Sequence, residues 1–194
     1  MRKVPYLEWE NILLDTSIIF AYMQAMRPGN TDTRCDFVKR LVDDLNTNKS
    51  TNKKRRKFYI SAVSIAEMYN KSDDVKKTNK VVTALNIHDM TFVSFDTDIA
   101  EHMTSSYHAV LGKEKIKDLV KEISWPESDL NLAKEWISKD LMIIATADYL
   151  KCDVVLTLDE KTFEPVAKKV DCFCCVAKEE NFNLSPAYIF AHKY

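Results

Sequence analysis

The sequence predicts a single α/β domain: a mostly parallel sheet with helices on both faces. Short aliphatic runs alternate with segments of helical periodicity along most of the chain, in the order βα, α, βα, α, βα, αα, αβ, β. One of those runs, Asp153–Leu158, is almost continuously apolar, as expected of a strand covered on both faces. The 194 residues suffice for one such domain with a sizeable core and are short for two.

Asn11–Met26 (NILLDTSIIFAYMQAM) holds one charge, Asp15, between a strand-like run and a helix. Thr16 and Ser17 can cap that helix, and N-capping is the plain structural alternative for Asp15 itself. Arg34–Leu45 has helical spacing through Phe37, Val38, Leu41, Val42 and Leu45. The polar stretch that follows ends in five consecutive cations, Lys53, Lys54, Arg55, Arg56 and Lys57. These read either as a solvated loop or as a nucleic-acid contact. Phe58–Asn70 (FYISAVSIAEMYN) reads as a strand over Phe58–Ala62 and a helix from about Ser64, again with a single charge, Glu67. An acid isolated in such a run needs a partner, since Glu is seldom buried without one.

Val75–Asn86 is amphipathic, Thr91–Phe95 is a short strand, and Asp96 or Asp98 caps a helix through Ile99, Ala100, Met103 and Tyr107. Gly112–Trp136 is charged, helical and broken at Trp125-Pro126, which marks an insertion at about 112–136. The stretch that organises the chain is Lys139–Phe163. There Asp140 opens a helix on the same face as Ile143, Ile144 and Ala147, and Asp159 sits just past the buried strand. Asp148 lies about 80° round that helix and is left out of the acid set. Ala167–Ala177 has strand character, with Cys172, Cys174 and Cys175 in it. The aromatic tail, 179–194, contains a helix start at Ser185-Pro186. Its rings at Phe182, Tyr188, Phe190 and Tyr194 must pack on the core or on a second subunit, and a dimer is expected.

Composition narrows the function. A net charge of −1 gives no global signal for a polyanion, and two glycines leave no room for a Gly-rich phosphate loop. No apolar run reaches the ~20 residues of a membrane span, and MRKVPYLEWE lacks the apolar core of a signal peptide, so a cytoplasmic location is expected. Five cysteines, an odd number, fit reduced thiols. The CxCC cluster has no second half to complete a zinc site, and His88, His102 and His108 are irregularly spaced, so neither is given a metal.

Four acids remain: Asp15, Glu67, Asp140 and Asp159. Asp15 and Asp159 follow the ends of strands, where open parallel sheets bind ligands. Glu67 and Asp140 are placed on the first turns of helices at that edge. Left bare, four converging carboxylates repel one another, and an all-oxygen donor set favours Mg²⁺ or Mn²⁺ over zinc. Such a cation screens a phosphoryl oxygen and activates water, which points to hydrolysis of a phosphate ester.

The blocks ILLDTS, SAVSIAEMY, KDLMIIATA and VVLTLDEKTF together resemble the PIN domain, including the VapC-type toxins of toxin–antitoxin pairs. They stand in family order and cover most of Asn11–Ala177. The resemblance implies a three-layer α/β/α sandwich and a metal-dependent endoribonuclease, with an antitoxin protein as a partner. It assigns the catalytic and metal-binding acids to Asp15, Glu67, Asp140 and Asp159, with supporting hydroxyls at Thr16 or Ser17 and at Thr157. The chain is longer than a minimal toxin of this type, through the 49–57 loop, the 112–134 segment and the tail. Two other classes compete. A haloacid-dehalogenase-like phosphatase would carry an acid at position 17, where this chain has Ser17. A PIN-like RNA-binding scaffold without turnover would be expected to have lost an acid, and all four are present.

Overall fold

A computed structural model describes residues 5–71, 74–87, 90–123 and 130–182. Five strands form one parallel sheet: β1 (Asn11–Leu14), β2 (Lys57–Ser61), β3 (Met90–Val93), β4 (Val154–Thr157) and β5 (Cys174–Val176). Their order is β3-β2-β1-β4-β5. The chain thus winds outward from β1 in one direction, then returns to build β4 and β5 on its other side. That reversal puts a crevice between the carboxyl ends of β1 and β4.

The connecting helices are α1 (Thr16–Ala25), α2 (Thr33–Thr47), α3 (Ala62–Asn70), α4 (Val75–Ile87), α5 (Thr97–Leu111), α6 (Lys113–Glu122), α7 (Leu130–Tyr149) and α8 (Phe163–Lys169). Alternation along the central strand divides the core. Ile12 and Leu14 pack with Phe58, Ile60, Val154 and Leu156 beneath α1, α2 and α4. Leu13 and Val155 point the other way, into a cluster with α5, α6, α7 and α8. The three-layer sandwich expected from the sequence is therefore present, with a wholly parallel sheet.

Three sequence expectations about the elements need correction. Asp140 does not open a helix; it lies deep in the twenty-residue α7. The apolar face of α7 extends back through Ile137 and Ala133, both fully buried. Trp125-Pro126 lies outside the described residues. Glu67 likewise sits past the first turn of α3, which begins at Ala62 rather than Ser64. Finally, Ala167–Ala177 is only partly strand. Phe163, Val166 and Ala167, at spacings of three and four, are the buried face of α8, and strand begins only at Cys174.

The cation run is also partly structural. Arg56 is 5% exposed and donates through Nη1 to the backbone carbonyls of Asn48 and Leu45 and through Nη2 to Leu7 (3.2 Å). It ties the end of α2 to the N-terminal segment and is removed from any RNA-facing surface. Lys54 pairs with Glu10 at 2.9 Å. The run precedes β2, so it enters the sheet at the end opposite the acids.

Phe182 folds back on the core against Tyr6, Trp9 and Phe37, with ring centroids 5.4, 6.0 and 6.2 Å away. Of the tail, Ser185-Pro186, Tyr188, Phe190 and Tyr194 lie outside the described residues. CxCC holds no disulfide: Cys35, Cys152, Cys172, Cys174 and Cys175 are all free.

Arg56→Ala removes a buried guanidinium that serves three backbone carbonyls at the end of α2 and in the N-terminal segment, and its cost is expected to be about 2 kcal/mol. Lys53→Ala, in the solvent-facing part of the loop, should change stability by less than about 0.5 kcal/mol. Urea midpoints of the two variants, compared with the parent chain, check the difference.

Candidate active site

Asp15 is placed by two requirements at once. Its backbone N–H continues the sheet by donating to Leu156 O (2.9 Å), and its side chain caps α1 by accepting from Ser17 N (3.3 Å). The capping role open in the sequence is therefore real, and it leaves the carboxylate 5% exposed at the carboxyl end of β1. Ser17 Oγ (2.5 Å) and Thr157 Oγ1 (2.8 Å) both donate to Asp15 Oδ2. Burial raises the acid's pKa, and the hydrogen bonds from Ser17 and Thr157 act in the opposite direction.

The hydroxyls knit the crevice together. Ser17 Oγ accepts from Leu158 N (2.9 Å), and Thr157 Oγ1 accepts from Asp159 N (3.0 Å). The start of α1 is thereby fastened to the chain leaving β4. Thr16 Oγ1 donates to Glu67 Oε2 at 2.5 Å, which brings α3 to the same edge. Asp159 is held by its own loop, with Oδ1 accepting from Lys161 N (2.9 Å) and Thr162 N (2.8 Å) and Oδ2 accepting from Thr162 Oγ1.

Asp140 stands apart. Its Oδ2 is enclosed and has no hydrogen-bond partner, one of three such buried side-chain atoms among the described residues, with Arg56 Nε and Ser64 Oγ. Its pKa is raised well above the ordinary value, first by burial and then by the charges of Asp15, Asp159 and Glu67, with Lys71 opposing. All four expected acids are thus in electrostatic contact at one crevice. They do not form a ready cage: no group of three or more acids, histidines or cysteines among the described residues has metal-holding geometry. Two of the four are drawn aside, Glu67 onto Thr16 and Asp159 onto its loop. The donor set fits a hard divalent cation, and the orphaned Asp140 oxygen is what such an ion would satisfy.

Several flanking groups were not foreseen in the sequence. Arg34, at the start of α2, donates through Nη2 to Leu158 O (2.8 Å), one residue from Asp159. The ammonium of Lys71 sits 5.5 Å from the Phe20 ring centroid and 5.1 Å from that of Trp136. The signal for the latter group was available: Phe20, Lys71 and Trp136 each lie four residues from Thr16, Glu67 and Asp140 respectively. Asp148, by contrast, faces elsewhere. Its Oδ2 meets His102 Nε2 (2.9 Å) and accepts from Tyr107 Oη (3.1 Å), so it fastens α7 to α5.

A parallel α/β/α sandwich with acids gathered at its strand-reversal crevice defines the class. The family model of the PIN domain matches residues 12–169, and the chain belongs to that family. Among solved structures, it is similar to VapBC2 from Rickettsia felis bound to a DNA fragment from their promoter. That likeness has a TM-score of 0.51 at 13% identity and covers 87% of this chain and 99% of the other. VapBC-1 from nontypeable Haemophilus influenzae is similar with a TM-score of 0.50 at 15% identity, covering 86% and 97%. At such identities the likeness is one of fold. No curated protein matches the chain.

The acids have opposite expected effects on stability without metal. Asp140→Asn should stabilise the protein in chelator at neutral pH by removing a buried charge without a partner. Because the folded-state pKa of Asp140 is raised, its protonated form stabilises the fold fully below the ordinary Asp value of about 3.9. That contribution is lost as pH rises through the folded value. The gap between Asp140→Asn and the parent should therefore widen with rising pH and close in acid. Asp159→Ala, which removes an anchor of the loop before α8, should instead cost about 1 kcal/mol. Urea titrations in EDTA at several pH values measure both.

Proposed function

We propose that this protein is a metal-dependent endoribonuclease that hydrolyses RNA phosphodiester bonds at the crevice between β1 and β4. The observation that carries the reading is the enclosed, partnerless Asp140 oxygen facing the charges of Asp15, Glu67 and Asp159. Natural cores rarely leave such an atom unsatisfied without a functional reason. Asp15, Glu67, Asp140 and Asp159 would hold Mg²⁺ or Mn²⁺. When bound, that ion supplies charge neutralisation at the phosphate and a more acidic water.

The chain's own groups do the positioning. Ser17 and Thr157 fix one oxygen of Asp15, leaving Oδ1 outside those contacts. The bond from Thr16 keeps Glu67 at the crevice edge rather than in solvent. Burial of Asp140 and Asp15 keeps bulk water from screening the site, so each charge acts over a short, poorly solvated distance. No nucleophilic Ser or Cys is required by this reading. The buried thiols argue against one: Cys152 and Cys174 are each pushed up to about 12 by burial.

The reading extends to partners. The sequence resembles VapC-type toxins, and the two solved structures named above are VapBC structures, so an antitoxin protein as partner is part of the proposal. Residues 183–194 are proposed as the surface for self-association, tested by light scattering before and after their deletion. No helix among the described residues is long and apolar enough to cross a membrane, and a cytoplasmic setting is proposed.

Purified protein should cut single-stranded RNA with Mg²⁺ or Mn²⁺ and stop in excess EDTA, leaving 5′-phosphate ends. Asp15→Asn and Asp140→Asn should each lower the rate by at least about a hundredfold while remaining folded. Asp159→Asn should be milder, because that carboxylate is already engaged by its loop. Full cleavage in EDTA, or by Asp15→Asn, would overturn the assignment. RNA binding without any cleavage would favour the scaffold reading.

A further inference from the structure

The crevice has one flank that the acid set does not explain. Glu67 is on α3, Asp140 on α7 and Thr16 on α1. One helical turn from each stands a member of a second group: Lys71 after Glu67, Trp136 before Asp140, Phe20 after Thr16. These three meet. The Lys71 ammonium is 5.1 Å from the Trp136 ring centroid and 5.5 Å from that of Phe20. Lys71 is exposed, and both rings are half-buried. The group therefore forms a surface continuous with the acids rather than part of the core.

Lys71 is close enough to Asp140 to oppose the rise in its pKa. Yet among the described residues its ammonium lies over the two rings and in no ion pair. A lysine serving only as counter-ion to Asp140 would gain more by direct contact with it. Held over ring faces instead, the ammonium keeps its N–H donors for an oxygen-rich group arriving from solvent. The rings offer flat apolar faces at the same spot. A cation for phosphate beside aromatic faces for bases is the chemistry that recognises single-stranded nucleic acid.

We propose that Lys71, Trp136 and Phe20 form a nucleotide subsite flanking the acid crevice. Lys71 binds a backbone phosphate next to the scissile one, and Trp136, with Phe20 beside it, stacks the adjoining base. This rests on the ribonuclease reading and supplies what the acids lack. Four carboxylates repel a polyanion, and the cation run expected to attract it lies at the opposite end of the sheet, partly consumed by Arg56 and Lys54. Lys71 puts positive charge where the strand must lie.

The test uses the full chain and fluorescein-labelled decauridylate, with binding followed by anisotropy in an Asp15→Asn background and cleavage followed in the parent. Lys71→Gln should weaken binding about tenfold and flatten the log–log salt slope by about 0.7, the loss of one phosphate contact on a single strand. Lys71→Arg should restore most of both. Trp136→Leu should weaken binding by about five- to a hundredfold with the salt slope unchanged, because stacking carries no charge. Thermal shifts with MgCl₂ alone should be no smaller in Lys71→Gln than in the parent, since a cation has been removed from beside the metal site. A merely structural Lys71 would leave the salt slope where it was. If the parent cleaves RNA while Lys71→Gln keeps its affinity and slope, the subsite is wrong and the nuclease reading stands. If the parent neither binds nor cuts the oligonucleotide with Mn²⁺ present, both fall.

Discussion

Mutual repulsion among acids at one sheet edge is the constraint on which the rest of this structure depends. Asp15 is buried, Asp140 has an enclosed oxygen without a partner, and Glu67 and Asp159 act on Asp140 from either side. Left to itself, that arrangement works against folding, since each ionised group raises the cost of ionising its neighbours. The fold tolerates it by two means. It diverts Glu67 and Asp159 into bonds with Thr16 and Thr162, and it surrounds one oxygen of Asp15 with hydroxyl donors. What remains uncompensated is concentrated at Asp140, on a helix with one face buried from Ala133 to Ala147.

The hydroxyl residues therefore matter to architecture as much as to chemistry. Ser17 accepts from the backbone beyond β4 while donating to Asp15, and Thr157 does the same for the next residue. Each one bridges the two strands that flank the reversal point of the sheet. Parallel strands at such a point diverge as they leave the sheet, and something must hold their ends together if side chains on both are to act jointly. Here two small hydroxyls do so.

Much of this was legible in the sequence because the acids are conspicuous. A lone charge in an aliphatic run is a departure from pattern, and Asp15, Glu67, Asp140 and Asp159 were all visible on that ground. The mostly parallel sheet followed from the alternation of elements, whereas the strand order β3-β2-β1-β4-β5 appears only in the fold. What stayed hidden was set by tertiary context. Arg56 reads as one cation of five, and only the approach of α2 and the N-terminal segment shows that its guanidinium is buried. Phe163, Val166 and Ala167 form too short a helical signal to outweigh the β-prone residues after them. The true start of α7 was masked by the charged stretch before it, so Asp140 was set at a helix end instead of within the core layer. Lys71 drew no reading, because its four-residue spacing from Glu67 gains meaning only once α1 and α7 bring Phe20 and Trp136 to it.

Two helix endings repeat one another closely. After α7, Lys151 adopts φ 55° and Cys152 N donates to Ala147 O (2.9 Å); after α8, Asp171 adopts φ 53° and Cys172 N donates to Ala167 O (2.9 Å). Both turns use the left-handed residue and the reach-back bond that close many helices, with a buried thiol as the apolar plug that follows. Burial pushes the Cys152 thiol up to about 12 and that of Cys172 higher still. Closed, these sulfurs are inert to alkylating reagents; open, they are ordinary thiols. The chain thus carries a pair of built-in clocks at the ends of α7 and α8. Their modification rates time how often the β4–β5 side of the molecule comes apart.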